Sequence, residues 1–154
     1  MVSLLDRALR YILIFLIGLL TASVFLQVLI RFVFKSPLPW TEEVARIAFV
    51  YSIFVGATIG VRDRAHISVD FLVVLLPPHA RRALKLATNI VVAVLLCFII
   101  WQGIEFVRQT GVQMTPVMLI PFRYLYIVIP ASGALMLLYL ILGTIDDLRG
   151  VKSR

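Results

Sequence analysis

Long apolar runs alternate with short polar breaks along this chain, on the length scale of helices that cross a bilayer. An uncharged run from Tyr11 to Ile30 follows Arg7 and Arg10. Its 20 residues, at about 1.5 Å each, match a hydrocarbon core of roughly 30 Å. A second helix is predicted from about Trp40, a third around the uncharged run Leu86–Ile104, and a fourth around Tyr124–Ile145. With their polar ends the four spans cover about 10–34, 40–62, 80–107 and 120–146. Ile67 to Leu76 is too short to cross and is interrupted by Asp70. That segment is expected as an amphipathic helix lying in the interface, over about 66–76. The expected fold class is an all-α integral membrane protein: one membrane domain over 1–154, with four transmembrane helices and a short interfacial helix.

The breaks supply the local logic. Lys35-Ser36-Pro37-Leu38-Pro39 ends the first helix, because proline removes a donor and pushes the preceding residue out of helical space. Thr41 is the expected N-cap of the second helix, and Trp40 suits the membrane interface. Glu42 and Glu43 fall in its first turn, where the helix dipole favours negative charge, and Glu42 can pair with Arg46. Both acids sit at the rim of the span, so they read as helix-end electrostatics and not as proton carriers. Ala45, Ala48, Ser52, Gly56 and Gly60 read as a small-residue face that lets another backbone approach. Ser23, Gln27 and Arg31 share a face of the first helix, with Gln27 expected to bond a neighbouring helix. Asn89, Ala93 and Cys97 do so in the third, where Asn89 is expected to bond across helices. A turn through Gly111 to Pro121 leads to the fourth span, and Pro130 beside Ala131-Ser132-Gly133-Ala134 predicts a kinked, closely packed spot.

Composition narrows the class. The chain is 62% hydrophobic and 15% charged, with a mean hydropathy of +1.04, too apolar for a soluble domain of this length. Its net charge of +7 comes from Lys and Arg at the ends of apolar runs, where they set orientation and meet membrane lipids, so nucleic acid is rejected as a partner. Thr21-Ala22-Ser23 resembles a signal-peptide cleavage site, but the apolar run continues unbroken through Ile30, so the segment reads as a span. Cys97 is the only cysteine, and His66 and His79, the only histidines, fall outside the spanning runs. No disulfide framework, paired haem ligands, metal cluster or other cofactor is expected, and His66 reads as a surface or capping residue. There is no internal repeat, which argues against an inverted-repeat transporter complete in one chain. Ten basic residues fall at the N-terminus, the middle segment and the tail, and five in the other two loops. The expectation is therefore that both termini are cytoplasmic.

An arginine ending the first span (Arg31), P-W-T-E-E opening the second (Trp40, Glu42, Glu43), F-V-G-A around Gly56, R-x-H-I-x-V-D with His66 and Asp70, and P-V-M-L-I-P-F-R-Y-L-Y-I-V-I-P with Pro121 and Pro130 follow one another in order. In that order and spacing the chain resembles the small membrane subunit (Q-type) of tripartite ATP-independent periplasmic (TRAP) transporters over nearly its whole length. The resemblance implies a bacterial inner-membrane complex. A large membrane subunit would carry substrate and sodium, a periplasmic substrate-binding protein would deliver an organic acid, and the small subunit would brace the large one. The uncharged spans agree, since ion-coupled carriers usually hold charged groups or broken helices near the midplane. No catalytic residues are expected. The alternative class is a membrane scaffold or assembly factor for another multi-span complex. A membrane oxidoreductase would need paired cysteines or intramembrane histidines, and a small multidrug exporter a carboxylate where this chain has Gln27.

Overall fold

The computed structural model describes residues 2–35, 38–63 and 78–148. Four long helices carry the fold: α1 (Val2–Phe34), α2 (Pro39–Arg62), α3 (Pro78–Thr110) and α5 (Val128–Leu148), with the short α4 (Phe122–Tyr126) leading into the last. Leu4–Phe34, Pro39–Arg62, Leu86–Thr110 and Phe122–Ile145 are long and apolar enough to cross a membrane. No strand occurs among the described residues. The segment expected as an interfacial helix, with His66 and Asp70, lies outside them.

The helices stand in a row. α1 packs on α2, α2 on α5 and α5 on α3, while no backbone contact joins α1 to α5, α1 to α3 or α2 to α3 among the described residues. Side-chain exposure follows that order. From Leu4 to Phe34 the only positions of α1 turned away from its surroundings are Asp6, Leu9, Leu13, Leu16, Leu20, Ser23, Gln27 and Ile30. They alternate steps of three and four, the seam of a helix packed lengthwise on a single neighbour. Arg31 falls one residue off this seam and is exposed. α2 shows the reverse: beyond Trp40 only Glu42, Arg46, Phe49, Ile53 and Ala57 are exposed, because a neighbour covers each flank.

Leucines fill the α1–α2 seam, with Leu9, Leu13 and Leu16 set against Val55, Ile59 and Tyr139 of α5. The α3–α5 contact is closer. A Cβ added at Gly103 would stand 3.1 Å from Ile129 Cγ2 and 3.2 Å from Pro130 Cδ, and one at Gly133 would stand 2.9 Å from Ile100 Cγ1. The small-residue face expected on α2 divides instead. Ala45 and Ala48 are buried and Ser52 donates to the Ala48 carbonyl at 2.7 Å. A Cβ at Gly56 would meet only Leu13, at 3.8 Å, and one at Gly60 would meet nothing within 4 Å. Closest approach therefore lies at Gly103 and Gly133, since the leucine seam of α1 holds its backbone away from the α2 glycines.

One helix boundary differs from expectation, and the kink expected near Pro130 is found. Pro39 occupies the first turn of α2 and Leu38 is the N-cap, without a side-chain cap bond. Proline suits that turn because its missing N–H would be unpaired there anyway. Thr41 is thus inside the helix, fully buried, and its hydroxyl donates to the Leu38 carbonyl at 2.7 Å. The fourth span is divided at Ile127 into α4 and α5. Pro130 has no N–H to return to Tyr126, and the next bond, from Ala131 N–H to the Ile127 carbonyl, spans 3.2 Å.

Candidate functional site

Two buried carboxylates, one near each end of the length of α2, anchor the largest polar clusters of the fold among the described residues. Glu42 and Glu43 begin on the same turn but face apart, since one residue rotates a helix by about 100°. Glu42 is exposed and pairs with Arg46 at 3.1 Å. Glu43 is 7% exposed and accepts hydrogen bonds from the Val117 N–H at 2.8 Å and the Met118 N–H at 2.9 Å. Its expected role in helix-end electrostatics is corrected accordingly. The acid is directed at the loop joining α3 to α4, where a tight turn leaves backbone donors that a carboxylate satisfies well.

That loop is shaped to offer those donors. Gly111 opens it where any Cβ would lie 2.5 Å from the Val107 carbonyl oxygen, so only glycine fits. Met114 and Pro121 form an antiparallel bridge, with the Thr115 N–H donating to the Ile120 carbonyl and the Phe122 N–H to the Gln113 carbonyl, both at 2.9 Å. Thr115 is buried and its hydroxyl accepts the Ile120 N–H at 3.1 Å. Leu119 closes the turn in the left-handed region, φ 53°. Nearby, the Tyr51 hydroxyl donates to the Tyr124 carbonyl and ties α2 to α4.

At the other end Asp6, 6% exposed, joins three helices. Arg62 Nη2 of α2 stands 2.6 Å from Asp6 Oδ2, and the Tyr139 hydroxyl of α5 donates to Asp6 Oδ1 at 2.9 Å. Arg62 also reaches Asp63 at 3.3 Å, and Asp63 in turn pairs with Arg10 at 3.2 Å. α3 joins through Asn89, whose amide donates to Thr144 Oγ1 at 2.9 Å. That is the cross-helix bond expected of Asn89. Cys97, grouped with it by spacing, is exposed. Gln27 lies in the α1 seam, without a side-chain hydrogen bond among the described residues.

Of the residues singled out from sequence, the structure brings Glu42 to Arg46, Pro121 to the Glu43 loop and Pro130 against Gly103. Trp40 and Arg31 are exposed. Sequence reasoning missed Asp6, Tyr139 and Thr115. Asp6 carried a readable signal, being a lone acid three residues before Leu9 and in register with the leucine seam. Among the described residues no group of three or more His, Cys, Asp or Glu is placed to hold a metal ion. Asp6 links α1, α2 and α5, and Glu43 links α2 to the loop between α3 and α4.

Comparisons with known proteins agree with one another. The family described as the DctQ component of tripartite ATP-independent periplasmic transporters matches residues 20–150, a stretch that includes Glu43, its loop, Arg62 and Tyr139 but not Asp6. A Haemophilus influenzae protein named "Putative TRAP transporter small permease protein" is 29% identical over 143 residues, 93% of this chain and 87% of that protein. The sialic acid TRAP transporter permease protein SiaT of Haemophilus influenzae is 30% identical over 127 residues, 82% of this chain but 21% of its own length. The C4-dicarboxylate TRAP transporter small permease protein DctQ of Vibrio cholerae is 32% identical over 93 residues, 60% of this chain and 39% of that protein.

The contrast between neighbouring acids is testable. Glu43→Ala leaves two loop amides unpaired and Asp6→Ala removes the shared partner of Arg62 and Tyr139, so each should lower unfolding free energy in detergent micelles by about 1 to 3 kcal/mol. Glu42→Ala breaks only an exposed pair and should cost less than about 1 kcal/mol. Equal, small losses in all three variants would remove the carboxylates from the account of stability.

Proposed function

Because the chain belongs to the DctQ component family of tripartite ATP-independent periplasmic transporters, we propose that it braces a large membrane subunit during sodium-driven uptake of an organic acid delivered by a periplasmic substrate-binding protein. The observation that carries this reading is the placement of charge. Asp6, Arg10, Arg62 and Asp63 stand at one end of the helices' length, and Glu42, Glu43 and Arg46 at the other. Between those ends the first two spans are uncharged, as are Leu86–Ile104 and Tyr124–Ile145. Such a chain is built to hold still. A carrier of anions and sodium would ordinarily place charged groups or broken helices near the midplane.

A row of helices leaves two broad apolar faces, and one of them is the natural seat for a large membrane partner. The relatives' names support this. The match to SiaT covers 21% of that permease protein, which fits a small and a large membrane part working together. One relative is named for sialic acid and another for C4-dicarboxylate, so the substrate class we assign is an organic acid, with its selection left to the partners. Residues outside the described set, His66 and Asp70 among them, belong to the same reading as candidate contacts of the interfacial segment.

We place the chain in a bacterial inner membrane with both termini cytoplasmic, on the strength of the basic-residue count. Lys35 is exposed at the far end of α1. A Lys35→Cys variant in a Cys97→Ala background should react with a membrane-impermeant maleimide in intact spheroplasts. Reaction only after permeabilisation would reverse the orientation.

Uptake tests the function itself. In proteoliposomes under an inward sodium gradient the chain alone should give no uptake of an organic acid, and uptake should appear when the large membrane subunit and loaded binding protein are added. Sodium-driven uptake by the chain alone would overturn the bracing role. Equal uptake by the other two components without this chain would leave the scaffold or assembly reading in its place.

A further inference from the structure

The loop from Gly111 to Pro121 contains no Asp, Glu, Lys or Arg, and its apolar side chains point outward. Val112, Met114, Val117, Met118 and Leu119 are between 41% and 80% exposed. An exposed apolar cluster of this kind marks a surface that something covers. We propose that the lipid interface covers it: the loop is a fixed membrane anchor whose apolar side chains sit at the boundary between headgroups and acyl chains.

Lipid, and not water, is the occupant that the backbone fits. In a low-dielectric layer backbone polar groups must find partners within the protein. Five of the loop's nine N–H groups, those of Gln113, Thr115, Val117, Met118 and Ile120, find partners in the protein, on the Thr110 and Ile120 carbonyls, the two Glu43 oxygens and Thr115 Oγ1, which suits a depth where water is scarce but not absent. Pro116 and Pro121 have no N–H to satisfy. A loop made for water would not need a buried carboxylate from another helix to pair two of its amides. Leu119 adds to this, for it holds a left-handed backbone that leucine rarely adopts while its side chain is 65% exposed. The chain itself supplies that side chain with little contact.

The borders of the loop point the same way. Arg108 and Arg123 flank it, both exposed, at the level where guanidinium groups meet lipid phosphate. Tyr124, in the first turn after the loop, is 60% exposed, and such rings concentrate at the membrane–water interface. The apolar surface then continues into Ile104 and Phe106 of α3 and Ile127 beyond α4, within stretches long and apolar enough to cross a bilayer. The anchor concerns the chain in a membrane and does not rest on what it helps to transport.

Fluorescence quenching in lipid nanodiscs tests it. Met114→Cys and Leu119→Cys, each in a Cys97→Ala background, carry an environment-sensitive fluorophore. Native Cys97, exposed on α3, is the lipid-facing control and Lys35→Cys the aqueous one. Lipids with a nitroxide high on the acyl chain should quench both loop probes about twofold or more, and aqueous iodide should quench them far less than the Lys35→Cys probe. Iodide quenching equal to that control, with no nitroxide quenching, would overturn the proposal. Loss of nitroxide quenching when the large membrane subunit is bound would overturn it too, because the loop would then be a protein contact.

Discussion

Within a bilayer, apolar side chains gain little by leaving lipid for one another, so helices of this composition need something other than the hydrophobic effect to hold their register. Here that is a buried carboxylate near each end of the helices' length, one at either terminus of α2. Asp6 gathers Arg62 and Tyr139 at one end, and Glu43 holds two backbone amides of the α3–α4 loop at the other. Packing between them is ordinary: a leucine seam for α1 on α2, and glycines that let α3 and α5 meet closely. Without the end contacts, the α1 seam in particular would have little to stop one helix sliding past the next.

The same constraint links structure to role. A closed bundle would bury its polar groups centrally, whereas a row has two open faces and must fasten its edges. The last span buries 33% of its apolar window against 11% for the first and third, so the outer helices offer most of the surface. Polar contacts at both ends of the helices, together with broad apolar sides, are the features on which the proposed bracing role rests.

Much of this was legible in the sequence, and the rest was hidden for physical reasons. Four membrane-length apolar runs and the Glu42–Arg46 pair can be read directly, because length and an i,i+4 step are local properties. The order of the helices cannot. In α1 nearly every position is apolar, so the seam through Leu9, Leu13 and Leu16 does not differ in residue type from the lipid-facing positions Ile12, Phe15 and Ile17. Glu43 looked like a helix-end acid because its partners are backbone amides 74 and 75 residues away, and backbone donors leave no signature in side-chain patterns. The glycine stripe on α2 is not used for close approach within this chain, and its openness leaves room for a partner. Spacing alone shows that a backbone could approach, and only the partner's side chains decide whether it does.

Hydrogen exchange of the unaltered chain in micelles tests the central claim most directly. Val117 and Met118 lie in a loop, where amides ordinarily exchange fast. If the Glu43 carboxylate holds them, both should exchange as slowly as amides in the interior of α2, and more slowly than the neighbouring Val112. Exchange of Val117 and Met118 at the rate of an open loop would contradict the account, since the row would then lack its fastening at that end.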